Sequence, residues 1–206
     1  MRRSQAERRS RSEDALLEAA AEIVAERGVR GASLASIGGR AGVSRGLPAH
    51  HFGSKDALVA QLAQRAQDRI EQAILEMRRR HAQGAGTTNA LNEIISGVDV
   101  YLEMFEHPGP EQRALLVMWG STFPSDASVA GMADAERRSY EGLSGLIASG
   151  KDDGSVRADV DPVASAVLLH GLMRGVAALF LPDPGPADMR AVRRTCREWI
   201  AAALAS

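Results

Sequence analysis

Ser33-Leu-Ala-Ser-Ile-Gly-Gly-Arg-Ala-Gly-Val-Ser-Arg-Gly-Leu-Pro-Ala-His-His-Phe-Gly-Ser-Lys-Asp-Ala-Leu58 reads as two short helices joined by a tight turn, then the start of a third. Ser33 is a side-chain N-cap, and Leu34, Ile37 and Ala41 fall at i, i+3 and i+7, one face of a helix. Gly42 follows the last periodic residue, where a helix ends in a left-handed conformation that glycine adopts freely. Val43 plugs the turn and Ser44 caps a second helix expected over about Arg45 to Phe52, with Phe52 anchoring its far end in the core. Gly53-Ser54 breaks the chain, and Ser54 caps a further helix whose first turn holds Lys55 and Asp56. This is the geometry of a helix-turn-helix, which lays its second helix in the DNA major groove.

The same residues resemble the DNA-binding domain of the TetR family of bacterial transcriptional regulators. The match rests on Ser33 and Ile37, on Ala41-Gly42-Val43-Ser44, and on His51-Phe52-Gly53-Ser54-Lys55-Asp56-Ala57-Leu58. It is close over roughly the first 60 residues and architectural beyond them. The resemblance implies a DNA-binding domain over 1–54 and an effector-binding and dimerisation domain over 55–206. Much of the family carries Leu-Tyr where this chain has Pro48-Ala49, and that tyrosine touches a phosphate; His50 is expected to supply the contact instead.

Further roles follow from chemistry. Arg45 suits a bidentate bond to guanine, and Leu47 can meet a thymine methyl. Ser33, Ser44, His51 and Lys55 are candidate phosphate contacts, while Gly46 permits close backbone approach. Pro48, at the fourth position after the Ser44 cap, lacks the N–H of the first intrahelical bond and should distort the start of the recognition helix. Gly38-Gly39 is a second oddity, each glycine costing a helix about 0.8–1 kcal/mol against alanine. Close helix packing is the reading it invites.

Composition frames these signals. The chain has 206 residues, 45% hydrophobic and 25% charged, enough for a sizeable core. Net charge is only −1, which argues against a general nucleic-acid coat. The distribution is uneven: through Lys55 the basic residues outnumber the acidic by four, and beyond it the acidic outnumber the basic by five. A basic head on an acidic body suits phosphate binding with discrimination. Cys196 is the single cysteine, so no intramolecular disulfide is expected and a cytoplasmic setting fits. No signal-peptide pattern and no apolar run of about 18 residues stands out, so no membrane partner is expected.

The fold class expected is all-α, about nine helices. Arginine-rich residues 1–11 are expected to be disordered, as a minor-groove arm or a solvated tail. Helix 1 covers about Ser12 to Arg27, with Leu16, Leu17, Ala20, Ile23 and Val24 inward. A long helix runs from Ser54 to about His81, with Leu58, Leu62, Ile70, Ile74 and Met77 inward. Further helices cover about 89–106, 111–123, 127–149 (closed by Gly150), 162–181 and 187–204. Asp161-Pro162 is a strong helix start.

The last two helices carry apolar stripes. Val163, Val167, His170, Met173, Ala177 and Phe180 lie on one; Met189, Val192, Cys196, Trp199 and Ala203 lie on the other. Two such helices from each subunit would make a four-helix homodimer interface, where the TetR family dimerises; the alternative is an intramolecular core. A two-fold dimer matches a palindromic operator on double-stranded DNA. Tyr101, Met104, Phe105, Met118, Trp119, Phe123, Met132 and Tyr140, with His170 as a polar handle, are candidates to line a cavity for a small apolar effector. Methionine and aromatic residues at helical spacing also serve as plain core, and a lone histidine as a satisfied structural residue.

Enzyme readings find little support. The histidines show no metal-ligand spacing and the glycines no phosphate loop, and no G-x-S-x-G elbow occurs; no metal and no cofactor is expected. Three readings remain: a ligand-responsive dimeric repressor, a DNA-binding regulator without a small-molecule effector, and a helical small-molecule or lipid carrier that no longer reads DNA.

Overall fold

Helical periodicity becomes helix almost everywhere it was read. The computed structural model describes residues 5–83, 89–121, 130–181 and 188–206. In order these form α1 (Gln5–Gly31), α2 (Leu34–Arg40), α3 (Leu47–Phe52), α4 (Lys55–Gln83), α5 (Ala90–Met104), α6 (Pro110–Ser121), α7 (Ala130–Asp152), α8 (Pro162–Leu179) and α9 (Met189–Leu204). One isolated backbone bridge, Val156 to Ala205, is the sole β-type pairing among the described residues. The fold is all-α.

The chain packs as two compact units, Met1–Gln67 with Gly109–Ala133, and Asp68–Pro108 with Asp134–Ser206. In the first, α6 lies along α1. Leu16, Ala20, Ile23 and Val24 of α1 are buried, as are Leu115 and Met118 of α6 and Ile37, Leu58 and Leu62. Each such leucine or isoleucine stabilises the fold by about 1.5–3 kcal/mol relative to exposure. The buried Glu111 of α6 accepts a hydrogen bond from Arg65 of α4, which also reaches Asp14 of α1 at 3.4 Å.

In the second unit, α5 packs against α8 and α9. Ile94, Val98 and Leu102 of α5 and its C-cap Phe105 are buried, with Ala166, Leu169 and Ala177 of α8 and Cys196, Ile200 and Leu204 of α9. Arg193 of α9 reaches Asp99 at 2.7 Å and Glu103 at 3.1 Å on α5, and Glu106 at 3.4 Å just past its end. Its hydrogen bonds to Asp99 hold the guanidinium more firmly protonated than usual.

Several boundaries differ from expectation for identifiable reasons. Residues 5–11, expected to be disordered, continue α1: alanine, glutamate and arginine are good helix formers, and Glu7 sits in the first turn where the helix dipole favours an acid. Within α1 the helix breaks at Gly28, whose φ of 71° needs glycine. α7 runs through Gly150 to Asp152, because Gly150 is a packing site and not a stop. A Cβ there would stand 2.5 Å from Val156 Cγ2. The chain turns instead at Gly154, with φ 77°.

α8 corrects two expectations. By length and apolar composition it does meet the requirement for crossing a membrane, because its leucines and valines outweigh one arginine and one histidine. Its apolar stripe is also split. His170 and Ala177 turn inward, whereas Val163, Val167, Leu168 and Leu179 are exposed, Leu168 by 73%. On α9, Met189 and Cys196 are buried and Trp199 is exposed by 65%.

Candidate nucleic-acid interface

The helix-turn-helix is built from short-range bonds. Ser33 Oγ accepts from Ser36 N–H at 3.1 Å, and Ser36 Oγ accepts from Ser33 N–H at 3.0 Å, a reciprocal capping box. α2 closes with Gly42 N–H donating to the Gly39 carbonyl at 3.2 Å and Val43 N–H to the Gly38 carbonyl at 3.0 Å. This is the Schellman arrangement, and the φ of 68° at Gly42 is the left-handed residue it requires.

The recognition helix starts later than its sequence suggests. α3 begins at Leu47 with Gly46 as N-cap, and no side chain caps it, so Ser44 is not the cap. The Ser44 carbonyl instead accepts from Leu47 N–H at 3.0 Å, making residues 44–47 a turn. Pro48 explains the shift. A proline is tolerated in the first helical turn, where the missing N–H has no intrahelical partner to lose. Starting at Leu47 puts Pro48 in that turn, so the distortion expected inside the helix becomes a shortened helix.

Arg45 and Gly46 therefore lie in the turn before α3, both exposed. Arg45 makes no hydrogen bond or ion pair with any described residue. Leu47 is half-buried, His50 exposed and His51 half-buried. The two imidazoles meet edge to face at 6.0 Å, and His51 leans on the buried Phe52 at 6.1 Å. Ser33 and Ser44 are exposed. Lys55 is half-buried, its Nζ donating to the Val29 carbonyl at 3.4 Å. The carbonyl is presented just past the Gly28 break, and an ammonium has two further donors to offer.

Ion pairs tie α2 to α1 behind this surface. Arg40 bonds Glu22 at 2.8 Å and Glu26 at 3.0 Å, uniting α2 with α1. These hydrogen bonds hold the Glu26 carboxyl below the usual range and the Arg40 guanidinium above its own. One guanidinium is thus shared by two carboxylates, which offsets only part of their charge.

The effector candidates are less uniformly assembled. Tyr101 is buried on α5, its ring 4.9 Å from that of the fully buried Phe105, and Met104 is half-buried. The Tyr101 hydroxyl has no hydrogen-bond partner among the described residues, and burial raises its pKa while the charge of Arg174 pulls it down. His170 is buried, in edge contact with Tyr140 at 4.6 Å, with its Nδ1 3.5 Å from Ser139 Oγ. These residues belong to the second unit; Met118, buried, and Trp119, half-buried, belong to the first. Phe123 lies outside the described residues, as does the side chain of Met132. Ser139 and Arg174 escaped the sequence reading, although Arg174 stands one helical turn from His170. No group of three metal-ligating side chains occurs among the described residues.

Residues 98–205 match the C-terminal domain of BetI-type transcriptional repressors, and residues 16–62 match the tetR family of bacterial regulatory proteins. The chain belongs to the TetR family. Its relatives are transcriptional regulators, not enzymes. The HTH-type transcriptional regulator BetI of Paraburkholderia xenovorans (strain LB400) is 26% identical over 192 residues, 93% of this chain and 92% of the relative. Among solved structures, FadR from Bacillus subtilis in complex with stearoyl-CoA has a TM-score of 0.76 at 14% identity, covering 92% of this regulator and 97% of FadR. AibR, in complex with isovaleryl coenzyme A and operator DNA, has a TM-score of 0.75 at 16% identity, covering 91% and 97%. At such identities these structures speak for the fold.

Proposed function

We propose that this regulator is a cytoplasmic homodimeric repressor that reads a palindromic operator and is released from it by a small apolar ligand. The observation that carries the reading is Arg45, an exposed arginine at the entry to α3 that makes no ion pair among the described residues. Residues 1–54 serve as the reader and 55–206 as the effector and dimerisation body. Arg45 reads a base; Ser33, Ser44, His50, His51 and Lys55 meet phosphates; Leu47 meets a thymine methyl, and Gly46 lets the backbone approach.

The exposed Val163, Val167, Leu168 and Leu179 face of α8 supports self-association, with Trp199 of α9 adding to it. An effector is supported by the buried Tyr101 hydroxyl, which has no partner among the described residues, since leaving such a group unsatisfied costs about 1–3 kcal/mol that a ligand acceptor would recover. Proteins of this fold solved with acyl-CoA ligands are consistent with that reading. Ligand release requires only that the effector bind better to the form that fits the operator poorly.

The test is selection of sheared genomic DNA by the purified protein, with Arg45→Ala and Lys55→Ala in parallel. The wild type should enrich a palindromic site. Arg45→Ala should lose about 1–3 kcal/mol and relax specificity, whereas Lys55→Ala should weaken all sequences alike and lower the salt slope by about one contact. Equal, unselective recovery from all three proteins would overturn the DNA-reading assignment in favour of a helical carrier. A selected site that no metabolite fraction releases would leave a regulator without an effector.

A further inference from the structure

The two departures in the helix-turn-helix, Gly38-Gly39 in α2 and Pro48 in α3, meet in space. Gly38 and Pro48 are both buried. A Cβ built on Gly38 would stand 3.2 Å from Pro48 Cγ, 3.4 Å from Pro48 Cδ and 3.3 Å from the Ser44 carbonyl oxygen. An alanine there would have to displace a stiff ring or a backbone carbonyl, and neither yields as the end of a flexible side chain does. Around Gly39 nothing lies within 4 Å of the equivalent position. The glycines are adjacent in sequence, yet packing requires only the first.

We infer that Gly38 and Pro48 act together as a positioning pair that fixes where the recognition helix begins and how Arg45 is presented to DNA. The pyrrolidine ring holds φ at residue 48, and its bulk restricts Leu47. Leu47 N–H closes the turn onto the Ser44 carbonyl, the same oxygen that lies against Gly38. The Gly38 carbonyl takes the Val43 N–H that closes α2. A single residue of α2 thus carries the end of its own helix on its backbone and the start of the next on its missing side chain. Arg45 lies between these two fixed points. The chain keeps a defined reading geometry despite a six-residue recognition helix with no side-chain cap.

This inference rests on the DNA-reading assignment, and the experiment separates the two. Gly38→Ala, Gly39→Ala, Pro48→Ala and the Gly38→Ala/Pro48→Ala double variant are compared with wild type in full-length protein. Two quantities are read: thermal melting, and affinity for the selected operator relative to a scrambled duplex. Gly38→Ala should lose about tenfold in operator affinity while its scrambled-duplex affinity stays within about twofold. Adding Pro48→Ala should recover part of that loss, because the ring the methyl meets is gone while the Ser44 carbonyl remains. Pro48→Ala alone should alter base preference at the positions Arg45 governs. Gly39→Ala should melt at or above the wild-type temperature with operator affinity unchanged.

Additive melting effects of Gly38→Ala and Pro48→Ala would overturn the contact, whatever DNA does. Coupled melting with unchanged operator preference in both single variants would overturn the positioning role. Failure of the wild type to select any site would overturn the DNA-reading assignment, and the positioning role with it, while the melting cycle still reported the contact. Should Gly38→Ala not fold, Pro48→Ala carries the test through its base preference alone.

Discussion

The helix-turn-helix and the layer formed by α5, α8 and α9 are both helical, yet they are specified over very different distances along the chain. In the former, each defining backbone or capping bond joins residues at most five apart: Ser33 to Ser36, Gly42 to Gly39, Val43 to Gly38 and Leu47 to Ser44. In the latter, Asn89, Asp161 and Asp188 cap their own helices locally, but the polar contacts that join the helices come from afar. Arg193 reaches back to Asp99, Arg190 to Glu106, and the first amide of α5 donates to Asp153. The head is a chain of local decisions, each with a weak energetic stake and a strong geometric one. The body is held by fewer, costlier contacts that exist only once the helices are brought together.

Removing one long-range contact in the body should therefore cost more stability than removing a local one in the head. Arg193 is the strongest case, because its side chain is only 15% exposed and it serves three carboxylates. Breaking a fully buried pair costs about 3–5 kcal/mol. Here Asp99 keeps Arg197 at 3.4 Å and some solvent, so Arg193→Ala is expected to lose about 2 kcal/mol, read by urea unfolding. A loss below that of the next substitution would reverse the comparison.

That next substitution is Ser33→Ala. It removes one half of the capping box and should cost about 1 kcal/mol, as exposed N-caps do. The informative result is where the loss appears. Hydrogen exchange should rise in α2, with protection of the α5 amides unchanged. If α5 exchange rose equally, the head would not be an independently specified element, and its local bonds would owe their order to the body.

The same contrast explains what could be read from sequence. Caps, glycine turns and the Phe52 anchor are encoded within a few residues, so α2, its Gly42 stop and the α4 start were legible, as was the Asp161 cap. The start of α3 was not. Ser44 and Pro48 made competing demands, and their settlement depended on the space beside Gly38, which no linear pattern displays. The pairing of Ser139 with His170 and the proximity of Arg174 to Tyr101 join separate helices, so spacing along one helix could not reveal them. Exposure on α8 was misread for a related reason: a helix apolar on most of its circumference does not say which side its neighbours cover.

Asp153 gives the finest test of that long-range order. Its carboxylate accepts from Ala90 N–H at 2.9 Å and from Ser155 N–H at 2.8 Å, while Ser155 Oγ accepts from Leu91 N–H at 3.2 Å. A loop 63 residues away thus satisfies two of the orphan donors at the start of α5. Hydrogen bonding, first from the Ser155 side chain and then from the Ala90 amide, holds the Asp153 carboxyl below its ordinary value of 3.8. The folded state therefore favours the ionised form. That contribution to stability is in place above the ordinary value and fades as pH falls below it and the group takes up its proton. Asp153→Asn should lower the melting temperature slightly near neutral pH, and the gap to wild type should close as pH is lowered through the ordinary aspartate range. A gap constant across that range would mean the loop caps α5 by shape alone, with the charge contributing nothing. The long-range contacts of the body would then differ from the caps of the head in distance but not in kind.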